Sequence, residues 1–168
     1  MQFINEPKHL INPIRDIILF ENPFFELFTK TPWWLIPIAY APPIAYFLSL
    51  SDLSSYPITL VYFLIGVLLW TLGEYLLHRF LFHSEDYWLP NHPLVLANHF
   101  MLHGIHHAFP QDRYRLVYPP LPGYFLLGFF IVLPIRSSFS EQYSGTVVAG
   151  ALFMYICYDM IHYYMHHS

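Results

Sequence analysis

The chain is poor in charge. Of its 168 residues only 11% are Asp, Glu, Lys or Arg and 56% are hydrophobic, whereas soluble chains carry about a quarter charged residues. That shortage excludes an ordinary soluble domain of this length and reads as a membrane protein. Cysteine is nearly absent: Cys157 stands alone, which excludes an internal disulfide framework and leaves the compartment undeclared by redox chemistry. Nothing around Cys157 favours a reactive thiolate, so it reads as a small buried hydrophobe. There is no basic cluster and the formal charge is −4, so nucleic acid is not an expected partner. The N-terminal "MQFINEPKHLINPIRD" has no early apolar core and no A-x-A-like site, so it does not read as a cleaved signal peptide. Repeats, low-complexity tracts, Gly/Ser linkers and N-x-S/T acceptors are all missing.

Apolar runs are plentiful. Four stand out, at 33–50, 57–77, 121–135 and 145–164. A spanning helix needs roughly 20 apolar residues, so the second and fourth suffice. The first contains Pro37, Pro42 and Pro43, which remove backbone donors and are expected to kink it. The third is short and bracketed by prolines, a thin span or a re-entrant segment. Paired Trp33 and Trp34 suit the bilayer interface. Four spans place Lys8, Arg15, Lys30, Arg79, Arg113 and Arg115 on one face and only Arg136 on the other. By the positive-inside rule the crowded face is cytosolic. The chain therefore divides into a cytosolic N-terminal segment, 1–32, and an all-α integral membrane domain, 33–168.

Histidine is the abundant exception, with eleven residues. "HRFLFH" supplies His78 and His83, "HFMLHGIHH" supplies His99, His103, His106 and His107, and "HYYMHH" supplies His162, His166 and His167. On an α-helix the second set forms one imidazole stripe, and His162 and His166 pair in the same way. His78 and His83, five apart, diverge on an ideal helix, so one is expected beyond the helix end. Neutral imidazole is the commonest side-chain metal ligand. Nine such rings exceed one four-coordinate site, so two metals are expected. The topology brings all three sets to the cytosolic face. His9 and His92 read instead as hydrogen-bonded or headgroup-facing residues. Glu74 and Asp159 lie one turn before His78 and His162, where a carboxylate fixes the tautomer of a ligating histidine; pairing with Arg79 or tyrosine hydroxyls is the alternative.

These motifs, with "PWWLIPIAY", "GEYLLHRFLFH", "HFMLHGIHHAFPQDRYRLVYPP" and "YICYDMIHYYMHHS", resemble the fatty acid hydroxylase superfamily, and within it the sphingolipid fatty acid 2-hydroxylases. The resemblance runs from about Phe24 to Ser168. It implies about four transmembrane helices under a cytosolic helical cap with a di-metal site, in the endoplasmic reticulum membrane. It implies oxygen-dependent 2-hydroxylation of a long acyl chain, free or in ceramide, with electrons from NADPH or NADH through a reductase and cytochrome b5. Two iron ions suit that chemistry, and zinc fits the same ligands without supporting turnover. Arg113, Tyr114 and Arg115, in "DRYRL", either hold the polar end of the substrate or form a positive-inside flank. Two departures follow. No haem-binding H-P-G-G is present, so cytochrome b5 is expected to be a separate protein. The family's further H-x2-H-H motif is not found before Ser168, so the chain is expected to be C-terminally incomplete, with weak metal occupancy and little activity. The competing expectations are a sterol desaturase or C-4 methyl oxidase, a truncated non-catalytic paralogue, and a membrane zinc carrier, which needs polar ligands near mid-membrane along a path.

Overall fold

The computed structural model describes residues 18–90 and 92–167; Lys8, His9, Arg15 and most of the 1–32 segment lie outside the described residues. Among the described residues every regular element is helical. A short helix α1 (Pro23–Leu27) precedes α2 (Leu35–Ser49) and α3 (Tyr56–Leu76), which continues as a π-helix through Leu77–Phe82. A cap follows, with α4 (Pro93–His99), a π-helical stretch Phe100–Gly104, and α5 (Ile105–Ala108). The chain returns through α6 (Pro120–Leu127), the π-helical Gly128–Val132 and α7 (Leu133–Ser138), and ends in α8 (Glu141–His167).

Three helical stretches are long and apolar enough to cross a membrane: Tyr56–Phe82, Pro120–Ser138 and Glu141–His167. The proline-bracketed third segment is thus one continuous 19-residue rod. Helix α2, the first expected span, has 15 residues, about 22 Å of rise against a hydrocarbon core of about 30 Å. Its prolines do not interrupt it. Pro43 has no N–H for the Ala39 carbonyl, and the Tyr124 hydroxyl donates to that carbonyl at 2.6 Å instead.

Helix α8 is the axis of the bundle. Its run Ser144–Leu152 is buried and rich in small residues, which let neighbouring backbones approach. At Gly66 a methyl group would collide with the Val147 carbonyl, and at Gly150 with the Phe63 carbonyl, so α3 and α8 touch backbone to backbone. The two run parallel: Trp70 meets Tyr155 at 5.2 Å, and His78 lies with His162 at the same end. Helix α2 and the third rod run the other way. Tyr40 packs on both Tyr124 and Tyr155, while Arg136 donates to Ser144 Oγ at 2.6 Å at the opposite end. Outward positions of α3, such as Leu64, Leu68 and Leu72, stay exposed, as suits a surface solvated by lipid.

Candidate metal centre

Every described histidine from the three sequence clusters lies at one end of this bundle, but the rings are shared out differently from the sequence stripe. His78, His83, His103 and His107 form one group and His106, His162 and His166 another, with ligand atoms inside each group within 4.8 Å of one another. Adjacent His106 and His107 send one ring into each, at a separation of 5.6 Å. The two groups are therefore neighbours.

Backbone winding explains the sorting. The His83 N–H donates to the His78 carbonyl at 3.2 Å, a five-residue π turn, and the rings approach to 5.1 Å. The divergence expected on an ideal helix is removed by that wider turn, although His83 does leave helical geometry. In the cap, the π turn at Phe100–Gly104 breaks the expected stripe. His99 shares no group with His103, His106 and His107. Its Nδ1 lies 2.8 Å from Glu85 Oε1 and 2.5 Å from the Phe82 carbonyl, and it forms a third group with Glu85 and His83. Gly104 makes room for this ring, because a Cβ there would sit 2.9 Å from it.

His167 is not brought to either group. Its ring stacks on Tyr163 at 4.4 Å, with Nδ1 3.2 Å from the Tyr163 carbonyl. His92 accepts the Leu94 N–H at 3.2 Å and caps α4. Glu74 Oε1 lies 3.9 Å from His78 Nδ1, and buried Asp159 stands one turn before His162. Two acidic neighbours escaped the sequence reading: Glu85, and Asp86 at 3.7 Å from His83 Nδ1. The text "HSED" offered a signal, since both follow His83 within three residues.

Arg113, Tyr114 and Arg115 separate. Arg113 is exposed and lies over the Tyr114 ring, and the Tyr114 carbonyl accepts the Thr31 N–H at 2.7 Å. Arg115 is buried. Its guanidinium donates to Asp112 Oδ2 at 2.7 Å, to Thr29 Oγ1 at 3.1 Å and to Glu26 Oε1.

The electrostatics suit a cation. Burial first, then the neighbouring imidazoles, lowers His103 to about 2, His106 to about 3 and His107 to about 4 from the ordinary 6.5, and His83 moves the same way. Each ring is therefore neutral at pH 7, with a lone pair to donate. The buried His106 Nδ1 has no protein hydrogen-bond partner. Crowded neutral imidazoles with converging lone pairs are a poor arrangement without a cation and a good one with it, so the residues fit a metal at each group. A cavity of about 320 Å³ adjoins them, lined by His78, His103, His106 and His162 together with apolar Leu77, Leu116, Val117 and Leu127.

No protein-family model matches the chain. The ceramide very long chain fatty acid hydroxylase of Saccharomyces cerevisiae is 44% identical over 158 residues, covering 89% of this chain and 38% of that protein. A solved structure of full-length scs7p, with only the hydroxylase domain visible, superposes with a TM-score of 0.81 at 42% identity, over 89% of this chain and 56% of that one. The chain is a homologue of the ceramide and fatty acid 2-hydroxylases. The dihydroceramide fatty acyl 2-hydroxylase of Arabidopsis thaliana is 40% identical, covering 89% of this hydroxylase homologue and 62% of that protein. The fatty acid 2-hydroxylase of Homo sapiens is 35% identical, over 98% and 48% respectively. The hydroxylase homologue thus spans about half the length of the curated relatives it matches.

Proposed function

We propose that this protein hydroxylates carbon 2 of long acyl chains, free or in ceramide, in sphingolipid synthesis, as an oxygen-dependent di-metal enzyme of the endoplasmic reticulum membrane. The observation that carries the reading is one juxtaposition: seven imidazoles gather in two adjacent groups at one end of three membrane-length helices, and four of them, His78, His103, His106 and His162, line a largely apolar cavity. His78, His83, His103 and His107 would hold one iron, and His106, His162 and His166 the other. Bound iron supplies the redox chemistry by which oxygen, two electrons and two protons convert a C–H bond into an alcohol and water. The electrons come from NADPH or NADH through cytochrome b5 and its reductase, and the metal groups face the cytosol.

The chain's own residues handle the lipid. Leu77, Leu116, Val117 and Leu127 exclude water and hold the methylene chain, so that only carbons near its polar end reach the imidazole side. Glu74 lies 3.9 Å from His78 Nδ1, where a negative carboxylate favours the tautomer that carries its proton on that nitrogen and leaves Nε2 to ligate. Glu85 lies 2.8 Å from His99 Nδ1 and fixes that ring beside His83, outside the two iron groups. Clustering at one end supports this enzyme over a carrier, whose ligands must line a path through mid-membrane. The test is expression of the chain in cells deleted for their own 2-hydroxylase. Mass spectrometry should detect 2-hydroxy acyl sphingolipids; unchanged sphingolipids together with altered sterols would transfer the assignment to the sterol-oxidising branch.

A further inference from the structure

The segment before the first long helices is built inside out. In "ENPFFELF", α1 buries its one acidic residue, Glu26, and exposes Phe24, Phe25 and Leu27, with Phe20 and Phe28 exposed on either side. Phe25 packs on Phe20 at 6.2 Å and Phe24 on Phe28 at 5.1 Å, so the rings form one continuous apolar surface. No charged side chain interrupts that surface between Glu21 and Lys30, because Glu26 points inward and Lys30 folds back onto it at 3.2 Å.

What holds the charge inside is specific. Glu26 Oε2 accepts the N–H groups of Leu19 and Phe20 at 3.0 Å each, and Oε1 receives Arg115 from a part of the chain 89 residues away. The segment is thereby clamped against the wall of the cavity. Leu19, Phe28 and Thr29 line that cavity together with Arg115, Leu126 and the imidazoles of His103 and His106. One side of the segment therefore faces the candidate reaction space while its other side displays phenylalanines. The exposed pair Trp33 and Trp34 follows at once and leads into α2, so the aromatic surface is continuous with the lipid-facing bundle.

We propose that residues 20–28 are embedded in the bilayer interface as an aromatic wedge, and that a lipid passes sideways from the bilayer into the cavity past Phe28, which is both exposed and part of the cavity lining. The occupant of the wedge surface is the acyl and glycerol region of the bilayer. Water would leave four large rings exposed, whereas an uncharged aromatic face flanked by Glu21 and Lys30 suits the interfacial layer. The identification of the passing lipid as an acyl substrate rests on the function proposed above; the membrane placement of the wedge does not.

Single-cysteine spin labelling tests it in the intact protein. In a Cys157→Ala background, labels are placed singly by Phe24→Cys, Phe25→Cys and Phe28→Cys, with Glu141→Cys as an exposed reference at the far end of the bundle. In phosphatidylcholine nanodiscs, collisions with oxygen should exceed collisions with a water-soluble nickel chelate at all three wedge sites, and the reverse should hold at Glu141. Nickel accessibility at the wedge equal to that at Glu141 would overturn the proposal. A bilayer lipid carrying a diazirine near its carbonyl should crosslink at Leu19 or Phe28; crosslinks confined to the cap around Arg113 would overturn lateral passage. Glu26→Gln should raise label mobility at Phe25 while the monodisperse elution profile is kept, and unchanged mobility would refute the clamp. Loss of 2-hydroxy products with the labels still lipid-immersed would sink the catalytic reading and leave the wedge standing.

Discussion

His83 donates its backbone N–H to the carbonyl of His78, and that single five-residue turn sets the two imidazoles 5.1 Å apart, within reach of His103 and His107. The metal groups depend on winding as much as on residue type. Inserting one Ala after Phe80 makes the pair i,i+6, which neither α nor π winding closes, so the four-imidazole group loses a ligand and elemental analysis should show reduced metal content. Deleting Phe80 makes it i,i+4, which ordinary α winding keeps on one face, so metal should be retained.

The two groups differ in how many donors they have to spare. His106→Ala leaves two imidazoles where there were three, and His103→Ala leaves three where there were four. Metal content should fall by about one equivalent in H106A and by less in H103A, and both should lose the 2-hydroxylation proposed above. His167→Ala should leave the metal content unchanged, because its ring stacks on Tyr163 outside both groups. A loss in H167A equal to that in H106A would place His167 among the ligands.

The Glu26 clamp has a pH signature. Burial alone would raise this carboxyl, but the N–H groups of Phe20 and Leu19 and the cations of Lys30 and Arg115 prevail and bring it from 4.5 to about 2. The folded state thus favours the charged form. The stability it contributes is present above about pH 4.5 and is lost as pH falls from there through about 2, below which folded and unfolded forms are both protonated. In a melting series in detergent, the wild-type chain should lose more stability between pH 5 and 3 than Glu26→Gln, which has no carboxyl to titrate.

Helix contact sets the stability of the bundle. Gly66→Ala and Gly150→Ala each push a methyl group into a facing carbonyl, of Val147 and Phe63 respectively, where backbone cannot give way cheaply. Each should destabilise by about 1–3 kcal/mol, a lowering of melting temperature by several degrees. Gly128→Ala, where nothing lies within 4 Å, is the control and should be neutral within about 1 kcal/mol.

Composition and periodicity by themselves determined that this is a helical membrane protein, and the positions of the histidine pairs relative to the apolar runs determined that the rings gather at one end. Those features are local: an apolar run long enough to span must be helical, because hydrocarbon offers its backbone no other hydrogen-bond partner. Sequence spacing also marked Glu74 as a neighbour of His78, because the two lie one helical turn apart. The division of the imidazoles into groups of four and three was decided only in three dimensions, because π turns at Leu77–Phe82 and Phe100–Gly104 shift the register by a residue and no α-helical periodicity registers them. Arg115 met Glu26, and Glu85 met His99, only through folding. Partners 89 and 14 residues apart leave no periodic trace in a chain; burial, which obliges each charge to find its opposite, is what joined them.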